Sequence, residues 1–174
     1  MKPGPCRIFA NWNCPLAKNN VSDDFAKLYY TPEGRPKIGH DFDFNISHSD
    51  EYVVCAFSKD HQVGIDIEKI KPISLAFLKE FFNVDEWENI QLSRNSQETF
   101  YKLWTQKEAT VKADGRGLNI PLKEIIIQHN QGYVEKTKWF LQEIPLHKKY
   151  MVYLATNEPI QYYQSVKINF KQIH

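Results

Sequence analysis

FNISHSDEYVVCAFSKDHQVGIDIEKI, residues 44–70, decides the fold class. Phe42, Phe44 and Ile46 alternate with Asp41, Asp43 and Asn45, the period-2 pattern of a half-buried strand. SHSDE then reads as a turn, YVVCAF as a second strand, SKDHQ as another turn and VGIDIEKI as a third strand. Short polar connections between three strands predict an antiparallel meander. Asp66 and Glu68 lie two apart, so they project from one face while Ile65 and Ile67 point to the other. Gly64 shares the acidic face and leaves room there for something bulky. Two adjacent carboxylates repel unless a cation sits between them, and an all-oxygen donor set suits magnesium. An edge strand bearing two solvated acids would carry the same residues.

Downstream, Pro72 stops the third strand and SLAFLKEFF reads as a short helix with Ser74 as N-cap. VDEWENIQL is a second helical piece. The longest helix starts near Asn95, where Glu98 suggests a capping box, and runs through ETFYKLWTQKEATVKA to Gly115. EIIIQH, YVEK, WFLQEI, YMVYLAT and SVKINF then return the pattern to β. Strands, helices, then strands without βαβ alternation predict an α+β fold. On the long helix Trp104, Glu108 and Lys112 form one ridge at i, i+4 and i+8, with Lys107 beside it. Glu108 is a candidate third metal ligand or base, and Lys112 a point charge for a phosphate oxygen. The same spacing also dresses an ordinary solvated helix face. His48, between Ser47 and Ser49, is placed in a turn of the kind that holds anions, or is incidental surface.

Upstream, Phe25–Thr31 reads as a short strand ended by the turn TPEGRP, Thr31–Pro36. A formal net charge of +1 argues against bulk attraction to nucleic acid. Cys6, Cys14 and Cys55 fit neither a disulfide framework nor a zinc site, which predicts a reducing cytoplasm. Neither a secretory leader nor a membrane span is legible, so no membrane partner is expected.

GRP at Gly34–Pro36, FNISHS at Phe44–Ser49, VGIDIE at Val63–Glu68 and WTQKEATVKADGRGL at Trp104–Leu118 together resemble the 4′-phosphopantetheinyl transferases. The order and spacing match the larger, monomeric type that activates peptide and polyketide synthases, over about half the chain. The resemblance implies two similar α+β lobes of antiparallel sheet with packed helices, the active site lying in the cleft between them. Residues 1–62 would form a partial N-terminal lobe and 63–174 the C-terminal lobe. It implies transfer of the phosphopantetheine arm of coenzyme A to a serine of an acyl, peptidyl or aryl carrier protein. It casts Asp66, Glu68 and Glu108 as magnesium ligands, with Glu108 also the base. Lys112 and Lys107 are assigned to coenzyme phosphate, Ser47 and His48 to the coenzyme's phosphates, and Gly34, Arg35 and Pro36 to the loop on its adenine. Glu108, Lys112 and His48 are thereby the expected catalytic residues. Only 33 residues precede Gly34, so the first lobe is expected to be shortened or the chain to be a fragment.

Ile73, Leu75, Phe77, Leu78, Phe81 and Phe82 crowd between the acidic strand and the catalytic helix. At helical spacing most belong in the core, and partial exposure there would suit a helix-in-groove contact with a carrier. A homologue that binds coenzyme A or a carrier without turnover is the alternative reading. A metal-dependent phosphohydrolase or nuclease would need more acids and a basic stripe.

Overall fold

The computed structural model describes residues 6–10, 28–38, 43–161 and 163–167. Strand β1 is Cys6–Ala10, β2 Leu28–Tyr30, β3 Pro36–Ile38, β4 Asp43–Ser49, β5 Tyr52–Ser58 and β6 Val63–Lys69. Helices α1, Val84–Leu92, and α2, Ser96–Asp114, follow. Then come β7 Ile126–Gln128, β8 Gln131–Val134, β9 Thr137–Glu143, β10 Tyr150–Thr156 and β11 Tyr163–Lys167. The fold is α+β, with two larger sheets ordered β11-β1-β5-β4 and β6-β10-β9-β8-β7, and a small β2-β3 pair. The second sheet is antiparallel throughout, whereas β1 and β11 pair in parallel within the first. The C-terminal strand therefore returns to the sheet that the N-terminal strand helps to build.

The expected three-strand meander is corrected. β4 and β5 do form a hairpin, but its turn is Asp50–Glu51, so Ser47, His48 and Ser49 belong to the strand. β6 leaves that sheet and pairs with β10 instead, in the register Asp66↔Tyr153 and Glu68↔Met151. The reason lies in the polar face of β4. Asp43 Oδ2 accepts the Val63 N–H at 2.8 Å and Asn45 Oδ1 accepts the Ile65 N–H at 2.9 Å. Ser47 Oγ accepts the Ile67 N–H at 3.4 Å and Ser49 Oγ the Lys69 N–H at 3.0 Å. Every second side chain of β4 thus supplies the acceptor that a neighbouring strand's carbonyl would supply, and the buried edge of β6 is satisfied without a partner strand. β4 and β6 run parallel with a constant offset.

The alternation placing Ile65 and Ile67 opposite the acids holds. Both are buried with Val54 and Ala56 of β5 and Val152 and Leu154 of β10, forming a core between the sheets. The other face of the second sheet is covered by α2, whose Ala109, Val111 and Ala113 pack with Trp139, Leu141 and Tyr153. Asn95 caps α2 by accepting the Glu98 N–H at 3.2 Å; the Glu98 carboxylate binds the Asn95 side-chain amide at 2.8 Å rather than the backbone. The reciprocal capping box belongs to α1, between Asn83 and Glu86. Gly115 ends α2 at φ 85°, a left-handed cap that favours glycine. The helix expected over SLAFLKEFF is two single 3₁₀ turns, Leu75–Phe77 and Lys79–Phe81, and Ser74 makes no side-chain cap bond. Leu75, Leu78 and Phe81 turn toward the α2 core while Phe77 stays exposed, so a continuous helix stripe never forms. The strand expected from residue 25 is described from Leu28, and residues 168–170 of the last expected strand lie outside the described residues.

Candidate functional site

Gly64, Asp66 and Glu68 face α2, and the helix backbone lies directly on the glycine. A Cβ built there would stand 2.8 Å from the Ala113 Cα and closer still to the Ala109 carbonyl oxygen. The room that Gly64 leaves is thus filled by the helix itself. This close approach lets the Trp104–Glu108–Lys112 ridge meet the acidic face of β6. Lys112 Nζ donates to Asp66 Oδ1 at 2.6 Å and to Ser47 Oγ at 2.9 Å, while Ser47 Oγ donates to Asp66 Oδ1 at 2.9 Å.

Asp66 is 3% exposed, and its second carboxylate oxygen is buried with no hydrogen-bond partner among the described residues. Glu68 and Glu108 border it. Burial, then the Asp66 charge, raises Glu68 above the ordinary carboxylate value, while hydrogen bonds from Trp104 and Ser49 oppose the rise. Glu108 is raised by burial and then by the charges of Asp66 and Glu68, with Lys112 opposing. Each glutamate therefore feels the negative charge of Asp66, and one lysine offsets part of it. Among the described residues no three acidic, histidine or cysteine side chains stand at the spacing of a closed metal site. The donor set nevertheless fits a hard cation: three carboxylates in mutual repulsion and one buried oxygen without a partner.

Three expected site residues stand apart from the Asp66–Glu68–Glu108 cluster. His48 is exposed on the face of β4 opposite Ser47 and Ser49, so it does not join Asp66 and Glu68. Lys107 is fully buried rather than free for a coenzyme phosphate. Its ammonium donates to Glu86 Oε2 at 2.7 Å, to the Leu122 carbonyl at 2.8 Å and to the Ile125 carbonyl at 2.6 Å, which uses all three hydrogens. Desolvation lowers its proton affinity, and the Glu86 partner resists that. Arg35 also turns inward, donating to Asp43 Oδ2 at 2.5 Å and to the Val63 carbonyl at 2.6 Å. It pins the Gly34–Pro36 loop to β4 and β6, which leaves the loop's backbone and the half-buried Pro36 ring to meet a ligand. Ser49, which the sequence reading did not single out, donates to Glu68 Oε2 at 3.4 Å; the match of two serines at i, i+2 to two acids at i, i+2 was its available signal.

The stretch of chain that holds these residues is similar to known proteins. A model described as "4′-phosphopantetheinyl transferase superfamily" matches residues 62–163, which hold both helices and the whole of the second sheet. The chain belongs to the 4′-phosphopantetheinyl transferase superfamily. It is 47% identical over 100 residues to 4′-phosphopantetheinyl transferase gsp of Aneurinibacillus migulanus, covering 56% of this chain and 42% of that protein. To 4′-phosphopantetheinyl transferase Sfp of Bacillus subtilis it is 43% identical over 106 residues, covering 58% and 47%. To the mouse L-aminoadipate-semialdehyde dehydrogenase-phosphopantetheinyl transferase it is 30% identical over 176 residues, covering 82% and 57%. The chain spans about half the length of these relatives. A solved holo-[acyl-carrier-protein] synthase of Thermotoga maritima aligns at TM-score 0.46 and 20% identity, over 55% of this chain and 61% of that one.

Proposed function

We propose that the juncture of β6 and α2 holds a divalent cation, magnesium being the expected ion, and serves a phosphopantetheinyl transfer. The reaction moves the 4′-phosphopantetheine group of coenzyme A to a serine of an apo acyl, peptidyl or aryl carrier protein and releases adenosine 3′,5′-bisphosphate. The observation that carries this reading is the buried Asp66 oxygen, without a hydrogen-bond partner among the described residues, flanked by two acids raised by burial and by its charge. Family membership supports the choice of reaction.

Asp66, Glu68 and Glu108 would hold the ion. A cation there supplies neutralisation at the coenzyme's diphosphate as the bond to the leaving phosphate breaks. Lys112 is partly exposed and bonds Asp66, so it is placed to turn toward a phosphate oxygen once Asp66 has another cation. Glu108 accepts the carrier serine's proton through a water, because a cation-bound carboxylate is a weak base. The Ser47 hydroxyl is engaged with Asp66 and Lys112, so its assignment to the coenzyme runs through these two groups. The Gly34–Pro36 backbone is assigned to the adenine, and His48 to phosphate oxygens away from the acids. None of the helices among the described residues is long and apolar enough to cross a membrane. A cytoplasmic location is part of this proposal, and a monomer is the favoured state.

The test is to incubate the chain with coenzyme A, magnesium and an apo carrier, then weigh the carrier. The expected result is a carrier heavier by one phosphopantetheine with the parent, and an unchanged carrier with Asp66→Ala or Glu108→Ala variants that fold normally. A carrier left unmodified by the parent, beside a working transferase control, favours binding without turnover.

A further inference from the structure

Ser47 and Ser49 each make the same two kinds of bond, one step apart along β6. Ser49 Oγ accepts the Lys69 N–H at 3.0 Å and donates to Glu68 Oε2 at 3.4 Å. Ser47 Oγ accepts the Ile67 N–H at 3.4 Å and the Lys112 ammonium at 2.9 Å, and donates to Asp66 Oδ1 at 2.9 Å. We propose that Ser47 and Ser49 are positioning residues for the metal-holding acids, each taking a backbone N–H of β6 and using its own hydrogen to fix the preceding residue's carboxylate. The proposal rests on the cation site proposed above.

The parallel register carries the argument. β4 lies beside β6 so that alternate side chains reach alternate N–H groups, and the acids alternate with the same period. A hydroxyl has one hydrogen and two lone pairs. Once its lone pairs are taken by the strand's N–H, and in Ser47 by the lysine as well, the hydrogen has the carboxylate as its acceptor. Carboxylate orientation is thereby tied to the β6 backbone instead of to free rotation about the side-chain bonds. Outer-sphere partners of this kind typically govern metal affinity by about 10–100-fold. Asp43 and Asn45, further back on the same face, take N–H groups but touch neither acid, which separates the strand-holding part of the ladder from the acid-orienting part. Ser47 accordingly acts on the acids and not as a hydroxyl ligand of the coenzyme.

Threonine and valine are nearly isosteric and differ in the hydroxyl, so Ser47 and Ser49 are each replaced by both. Manganese binding is measured by electron paramagnetic resonance without coenzyme, and amide exchange at Ile67 and Lys69 without metal. The expected result is affinity within about threefold of the parent for the threonine variants and weakened about tenfold or more for the valine variants. Amide exchange should be faster at Lys69 in Ser49→Val and at Ile67 in Ser47→Val. Ser49→Ala repeats the measurement without added bulk if a valine variant does not fold. A parent that takes manganese while the valine and alanine variants bind as tightly removes the positioning role alone. A parent that takes no manganese overturns both this role and the cation site on which it rests.

Discussion

Replacing Gly64 with alanine tests whether α2 is seated on β6 closely enough to assemble the site. The added Cβ would stand 2.8 Å from the Ala113 Cα, and nearer still to the Ala109 carbonyl oxygen and the Ala113 nitrogen. Moving that Cα out to the 3.4 Å of ordinary contact requires a retreat of at least 0.6 Å, and the other two atoms require more. All three opposing atoms are helix backbone, so no side-chain rotation relieves the clash. Overpacking of this kind costs about 1–3 kcal/mol, and a clash with main chain belongs at the upper end. In a chain of this size that is a fall in Tm of roughly 4–12 °C, at about 2–4 °C per kcal/mol. The same retreat lengthens the 2.6 Å Lys112–Asp66 bond and carries Glu108 away from Asp66. Thermal unfolding followed by circular dichroism reads the first effect, and turnover of the folded protein at saturating magnesium reads the second. A Gly64→Ala protein with parental Tm and parental turnover would refute the reasoning.

Glu108→Gln should raise the Tm of the metal-free protein at neutral pH, because a carboxylate held in a buried place beside Asp66 and Glu68 is replaced by a neutral group. The sign follows from the raised carboxyl: its folded-state value lies above 4.5, so the penalty is present at neutral pH and is relieved as pH falls through that value. Denaturation midpoints against pH should therefore lose part of this acid-side gain in the variant. Lys107→Met leaves Glu86 buried without its cation and should cost about 3–5 kcal/mol by urea denaturation. At a temperature where the variant is folded, its KM for coenzyme A should stay near the parent's; a large rise would restore Lys107 as a phosphate contact. Asn45→Leu removes the acceptor of the Ile65 N–H and should cost about 1–3 kcal/mol, with faster amide exchange at Ile65.

The acidic strand and the helix ridge were legible because each obeys a local period, two for Asp66 and Glu68 and near four for Trp104, Glu108 and Lys112. Their meeting was not legible from spacing, since it depends on a glycine admitting helix backbone. The meander failed because SKDHQ looks like a hairpin turn, whereas the edge of β6 is satisfied by side chains from β4. His48 was misplaced by ending the strand too early. Extending the alternation through Ser49 puts both serines on the acidic side and the histidine on the other. Lys107 reads as a polar helix residue because Glu86, its partner, is remote in sequence and itself sits in a capping box. Strand β1 lacks a periodic signal and exists through its pairing with β5 and β11.

The central claim is met most directly by anomalous diffraction from crystals grown with manganese. One peak about 2.1 Å from carboxylate oxygens of Asp66, Glu68 and Glu108 is the predicted result. A well-ordered site without that peak, with Lys112 still on Asp66 and Glu108 turned elsewhere, would contradict it.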